Sequence, residues 1–401
     1  MRVEILAGVS VKRPNFKFVI IMIFMAILVL PMSLDALSKI KGKSYDVELK
    51  GYFDKYDKPE FTGESFKDTS YQTAYSNYVA NNFKPRGLYI KAYNTLRFNL
   101  FNKTHNIVGK DNYIFEYDYV SAELSLDPKN DFSLQENRDK MDDYVYKLTK
   151  INEVLESRDK KLLFYISDSK ASEYHEYIPK SYLDRKPHGS VRGVDYLCEC
   201  LEKTDIEWIY TPDLASDLPC ESFYATGIHW SRPFEQKANL QVLMKMRELT
   251  GKNYRSWELT DLQSSSEPYF RDTDVFNMMN IWNPYFTDTF YQYDSANVIP
   301  DNYDQMNALI QGGSFAIGFR EDVWEHYPDE NIKYINYCEY LMDRDKNVAR
   351  LNDDWNNAPL AQLVDEADIV VIEMNEAVIA NYSNGFVDAL YEVLCTEGEG
   401  Q

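Results

Sequence analysis

Met306-Asn-Ala-Leu-Ile-Gln-Gly-Gly-Ser-Phe315 reads as a strand, a sharp turn and the start of a helix. The apolar run Met306–Ile310 has strand length, and a helix is expected from Phe315 onward. Paired glycines let the chain turn tightly, which leaves Ser314 exposed at the strand's carboxyl end beside a helix N-terminus. Backbone N–H groups at such a point stabilise a developing oxyanion, the central need of acyl transfer. A second segment, Thr226-Gly-Ile-His-Trp-Ser231, supplies a partner. Imidazole is the side chain suited to accept a serine proton, which makes His229 the natural partner. Read alone, Gly-Gly-Ser is an ordinary turn and His-Trp an ordinary packed pair; their meaning comes from what surrounds them.

Outward from this turn the chain alternates strands and helices. Strands are expected at Leu162–Ile166, Ile206–Tyr210, Ala308–Ile310, Ile332–Ile335 and Ile369–Ile372. Helices are expected at Arg138–Arg158, Val191–Lys203, Pro233–Leu249, Trp355–Val364 and Phe386–Leu394, besides the one after Ser314. That alternation predicts an α/β fold with a doubly wound, mostly parallel sheet. Such sheets bind ligands at the carboxyl ends of their strands, where Ser314 and His229 both fall.

The N-terminal region differs. Phe18–Leu30 contains no polar residue, and the apolar character continues through Pro31 and Met32 to Leu34. This predicts a transmembrane helix preceding the α/β domain, although the stretch is slightly short of the ~20 residues of a spanning helix. A cleaved secretory signal, with Ala36-Leu-Ser38 as its small-residue site, is the alternative. Both readings place the chemistry outside the cytoplasm. The expected organisation is a cytoplasmic N-terminus at 1–17, a membrane anchor at 18–37, a stalk and bracing region at 38–120 and the catalytic-type domain at 121–401.

Composition sets further bounds. At 44% hydrophobic the chain can bury a substantial core, and its net charge of −21 opposes nucleic-acid partners and anionic lipid surfaces. The 32 tyrosines suit packing, rims and sugar-stacking platforms. Five cysteines form no disulfide framework; Cys220 is placed to bridge Cys198 or Cys200 in an oxidising compartment, while Cys338 and Cys395 read as small core residues. The five histidines lack metal-ligand spacing, and no GxGxxG or Walker sequence occurs, so no metal and no cofactor is expected.

Seven segments in order resemble the alginate O-acetyltransferase (AlgJ/AlgX-like) group of SGNH-hydrolase-like proteins and the related bacterial DHHW proteins. They are Gly109-Lys-Asp-Asn-Tyr-Ile-Phe-Glu116, Leu162-Leu-Phe-Tyr-Ile-Ser-Asp-Ser-Lys-Ala171, Tyr177-Ile-Pro179, the His229 segment, Arg271-Asp-Thr-Asp274, Gly312-Gly-Ser-Phe315 and Asp368-Ile-Val-Val-Ile-Glu-Met-Asn-Glu376. The resemblance implies an SGNH-type sheet and an extracytoplasmic transferase of acetyl groups to a secreted or cell-wall polysaccharide. It implies an acetyl-serine intermediate, with a membrane-bound O-acyltransferase as acetyl donor and with Ser314 as nucleophile and His229 as base.

Two departures stand out. The family carries an aspartate two residues before the histidine and another just before the serine; here those positions are Gly227 and Gly313. Three readings follow: a Ser314–His229 dyad oriented by a backbone carbonyl, a carboxylate from elsewhere such as Asp272 or Asp274, or a degenerate polysaccharide-binding or scaffold protein. A polysaccharide esterase, with water as acceptor, is a further alternative. Asn375 reads as a cap or turn residue with a possible donor role, and Lys170 as solvated or facing an anionic sugar.

Overall fold

The computed structural model describes residues 16–43, 47–51, 56–82, 85–212, 218–269, 271–282, 288–345 and 347–396. The expected cytoplasmic leader up to residue 15, and parts of the expected stalk, lie outside them. The chain divides into two compact units, 1–102 with 280–283, and 103–279 with 284–401.

Among the described residues the larger unit contains eleven strands: β1 (Ile107–Val108), β2 (Ile114–Phe115), β3 (Lys161–Ser167), β4 (Glu207–Tyr210), β5 (Ser256–Ser265), β6 (Phe290–Val298), β7 (Asn307–Gly312), β8 (Asn331–Asn336), β9 (Tyr340–Met342), β10 (Val348–Arg350) and β11 (Ile369–Asn375). Seven of them form one sheet in the order β10-β9-β8-β7-β11-β3-β4. The five strands from β8 to β4 are parallel, and β9 and β10 add an antiparallel edge. The sheet is thus mixed but mostly parallel, as the alternation predicts.

Its core follows from strand periodicity, since successive side chains point to opposite faces. Leu162, Phe164 and Ile166 of β3 join Val370, Ile372 and Met374 of β11 on one face. There they pack beneath the helices Gln135–Ser157, Gly193–Leu201 and Phe386–Tyr391. Leu163 and Tyr165 join Ala308, Ile310, Ile369 and Val371 on the other face. These pack beneath the helices Arg232–Thr250 and Ser314–His326. Burial on both faces explains why β11 is a continuous apolar run rather than an alternating one.

The structure differs from the expectation in three places. The helix expected at Trp355–Val364 is a 3₁₀ turn, Trp355–Asn357, followed by a helix Leu360–Glu366. Pro359 stands between them and cannot continue a helical hydrogen-bond ladder. The helix expected to Leu394 ends at Tyr391 and passes into a π turn at Glu392–Thr396. The ribbon β5–β6 is the third difference; its strands are largely exposed beyond Trp257 and so lack an apolar signal.

The smaller unit contains the helices Phe16–Lys41, Gly63–Lys67, Ser70–Asn82 and Arg86–Phe101. The first covers the expected anchor, and its apolar side chains from Phe18 to Leu30 are mostly exposed. Among the described residues, no helix is long and apolar enough to cross a membrane. The side chains of Pro31, Met32 and Asp35 are outside the description, which leaves the described apolar run short of ~20 residues. All five cysteines are free thiols, so Cys220 bridges neither Cys198 nor Cys200.

Candidate active site

β7 ends at Gly312, and the helix Ser314–His326 begins at once, with Gly313 as its N-cap. Neither glycine has room for a side chain. A Cβ on Gly312 would lie 2.8 Å from the Cβ atoms of Ala316 and Glu373, and one on Gly313 would lie 2.8 Å from the Tyr337 hydroxyl. An aspartate before the serine, as in the family, would require the Tyr337 ring to shift. Ser314 occupies the first position of the helix, where the macrodipole favours negative charge.

His229 arrives from the loop between β4 and the helix Arg232–Thr250. The next residue, Trp230, fixes that loop: it is buried against Phe234 and Phe315, and its indole N–H donates to Asp168 Oδ1 at 2.8 Å. Ser231 closes the turn, donating from its amide to Ser222 O and from its hydroxyl to Glu221 O. His229 itself packs its ring against Phe315, 4.9 Å between centroids.

These two elements bring Ser314 Oγ to 2.6 Å from His229 Nε2. The other ring nitrogen, Nδ1, is hydrogen-bonded to Asp274 Oδ2. Asp274 Oδ1 accepts from the amides of Ile228 and Val275, at 2.8 and 2.6 Å. The carboxylate is thereby held from both sides of the relay, and it fixes the tautomer that leaves Nε2 free to accept a proton. Asp274 settles which of the two candidate carboxylates reaches the histidine. Asp272 instead accepts from the Tyr269 amide, and burial raises its carboxyl to about 7. The reason for Gly227 is also visible, because a Cβ there would lie 2.8 Å from the Asp272 carbonyl oxygen and 3.0 Å from that of Arg271. The loop that delivers Asp274 occupies the space an aspartate at 227 would need.

A buried ionic cluster ties the three contributing segments together. Arg232, at the start of the helix after His229, pairs with Glu235 at 2.8 Å and with Asp322 of the helix after Ser314. Arg271, three residues before Asp274, pairs with the same Glu235 and with Glu321. Gly318 makes room for this, since a Cβ there would overlap the Glu235 carboxylate.

The nucleophile turn rests on Glu373 of β11. Its carboxyl accepts from the Gly313 amide at 2.7 Å and from Ser167 Oγ at 2.5 Å, and burial raises its pKa. The Gly313 N–H is thus engaged. The Ser314 N–H is held only loosely, 3.4 Å from the Tyr337 hydroxyl. Asn375 acts as a cap: Oδ1 accepts from Ala377 and Nδ2 donates to Ser167 and Asp168. Lys170 is neither solvated nor directed to a ligand; it is fully buried.

Two cavities meet at Ser314. One, of about 30 Å³, is lined by Ser314, Gly313, Tyr119, Tyr337, Glu373 and Val378 among others. The other is an open groove of about 330 Å³ lined by His229, Asp274, Ser314, Arg320, Tyr334 and Tyr340 among others. A larger depression of about 570 Å³ beside Lys245 and Lys252 includes none of the relay residues. Among the described residues, no cluster of His, Cys, Asp or Glu is arranged to hold a metal.

No protein-family model and no curated protein matches the sequence. Solved structures do resemble the fold. The O-acetyltransferase domain of Pseudomonas putida AlgJ matches over 72% of this chain and 99% of its own, at 13% identity and a TM-score of 0.40. Pseudomonas aeruginosa AlgX matches over 77% of this chain and 72% of its own, at 15% identity and a TM-score of 0.42. A DHHW family protein from Eubacterium siraeum matches over 62% and 88%, at 11% identity and a TM-score of 0.37. At these values the chemistry of the site rests on its own residues.

Proposed function

We propose that this chain is an O-acetyltransferase that modifies a polysaccharide through an acetyl-serine intermediate. The observation that carries the reading is the continuous relay Ser314–His229–Asp274 at the carboxyl end of β7. His229 Nε2 takes the Ser314 proton as Oγ attacks the donor's acyl carbon, and imidazolium is stabilised by Asp274. The Ser314 N–H, which makes only a 3.4 Å contact with the Tyr337 hydroxyl, and that hydroxyl are the donors we assign to the developing oxyanion. His229 then returns the proton to the leaving group and, in the second half-reaction, deprotonates a sugar hydroxyl that attacks acetyl-Ser314.

The two cavities suit this division of labour. A cavity that just holds a water needs about 10–15 Å³, so the 30 Å³ pocket is of a size for a small group such as the methyl end of an acetyl. The open groove leaves room for a polymer acceptor, and its tyrosines offer faces for sugar rings. Asp274 supplies the carboxylate whose absence at Gly227 motivates a non-catalytic polysaccharide-binding reading. Esterase and transferase share every step up to acetyl-Ser314 and part only at the acceptor.

We extend the proposal to location. The exposed apolar side chains of Phe16–Lys41 are the support for a membrane anchor; a larger unit outside the cytoplasm and a membrane-bound O-acyltransferase as acetyl donor are what the resemblance to the alginate O-acetyltransferase group implies. Fractionation of chains with and without residues 1–41 tests the anchor; equal release of both from membranes by alkaline wash contradicts it. For the activity, p-nitrophenyl acetate serves as donor and neutral or uronic oligosaccharides as acceptors. Acetylated product that disappears in Ser314→Ala and in His229→Ala is expected. Hydrolysis alone, unaffected by any acceptor, would favour the esterase.

A further inference from the structure

Lys170 lies at the start of the short helix Lys170–Glu173, just after β3, and none of its surface reaches solvent. A buried ammonium is normally paired with a carboxylate. Here the described residues place no carboxylate in contact with it. Its three N–H bonds go to main-chain carbonyls: Ile114 O at 2.9 Å, Ala225 O at 2.8 Å and Gly227 O at 2.7 Å. The rings of Tyr113 and Phe115 cover it at 5.2 and 5.4 Å, a cation–π contact that partly replaces lost hydration.

The identity of those carbonyls gives the arrangement its meaning. Ile114 belongs to β2, which is already hooked to the loop through its own amide to Ala225 O. Gly227 is two residues before His229, and the intervening amide, Ile228 N–H, holds Asp274 Oδ1. One ammonium therefore anchors both ends of the turn that sets the imidazole and its carboxylate. We infer that Lys170 is a positioning residue for the His229–Asp274 pair, its charged head acting as a three-pronged clamp on the 225–227 backbone. It touches no reacting atom. A neutral amine has two hydrogens for three carbonyls, so loss of the proton breaks one of the three contacts and turns the nitrogen lone pair toward a carbonyl oxygen.

The groups facing it are Asp274, Asp288 and Glu221, which favour the charged form, against burial, which opposes it; the balance lowers its pKa to about 7. Clamping is accordingly strongest below neutrality and weakens as pH rises through about 7. The kinetic part of this inference rests on the acyl-transfer reading; the structural part does not.

The test uses the full chain with Lys170→Met, which keeps the stem, and Lys170→Gln, which keeps a neutral donor. Hydrogen exchange at 225–229 is compared with β11, and kcat and KM are measured with p-nitrophenyl acetate across pH. The expected result is faster exchange confined to 225–229, and kcat lower by about 10–100-fold with KM little changed, the scale of a small misplacement of a catalytic group. Gln should fall less than Met. Wild-type protection at 227–229 should also decline as pH rises past about 7, a measurement that needs neither variant to fold. Unchanged exchange and kcat in both variants would overturn the clamp; pH-independent wild-type protection would overturn only its weakening near pH 7, since an ammonium that stays charged keeps all three carbonyls. A wild type inert toward the ester would count against the acyl-transfer reading, and exchange would still decide the role of Lys170.

Discussion

The hydrogen bond between His229 Nδ1 and Asp274 is the contact on which general-base strength depends, because it selects the tautomer that presents Nε2 to Ser314. Asp274→Asn should keep the fold and lower kcat for acetyl-ester turnover by about 10³–10⁴-fold, the scale seen when a triad loses its acid. Adding Gly227→Asp should not rescue it, since the Asp272 and Arg271 carbonyls occupy that space; recovery of activity in the double variant would contradict the steric account. Tyr337→Phe should lower kcat by about 10²-fold, at the low end of what one such donor supplies. Ser314 and His229 were readable in the sequence through context rather than alone, because alternating strands and helices place both segments at the carboxyl ends of a parallel sheet. Asp274 was readable only as one of two nearby acids. Nothing in linear spacing says which of two aspartates, two residues apart, turns to the imidazole, and the backbone amides of Ile228 and Val275 hold Asp274 there. Lys170 gave no sign of burial, since its three partners are carbonyls contributed by distant segments.

Among elements, the helices that follow His229 and Ser314 are held to the Asp274 loop by the Arg232, Glu235, Arg271 and Asp322 cluster. Breaking a buried ion pair leaves an uncompensated charge, so Glu235→Ala should cost about 3–5 kcal/mol in urea unfolding. A loss below about 1 kcal/mol, the level of a surface pair, would show that the cluster does not carry the packing. Chain-length selectivity belongs to this scale too. Val378→Ala should raise turnover of a butyryl ester relative to an acetyl ester, because the small cavity beside Ser314 is closed partly by that residue; an unchanged ratio would separate the cavity from the acyl group. The parallel strands were legible because burial on both faces demands unbroken apolar runs such as Ile369–Ile372. The ribbon β5–β6 was not, because a largely exposed hairpin has no need of them.

For the molecule as a whole, buried acids set the response to pH. Burial raises Asp168 and Asp272 to about 7, and raises Glu373 and Glu376 above their ordinary value. In the unfolded chain these groups release their protons near pH 4. The folded state therefore holds more protons between about pH 4 and pH 7, and stability falls as pH rises through that window. The net charge of −21 acts in the same direction through self-repulsion. The melting temperature should thus decline from pH 5 to pH 7, and Asp168→Asn should flatten the accompanying fall in unfolding free energy by up to ~1.4 kcal/mol per pH unit. A melting temperature that climbs over this range would contradict these buried protonated carboxyls. The most direct measurement of the central claim is peptide mass spectrometry after brief exposure to p-nitrophenyl acetate and acid quench. The relay predicts one acetyl group, on Ser314, absent in His229→Ala; acetyl on another residue, or on Ser314 at an undiminished rate without His229, would contradict it.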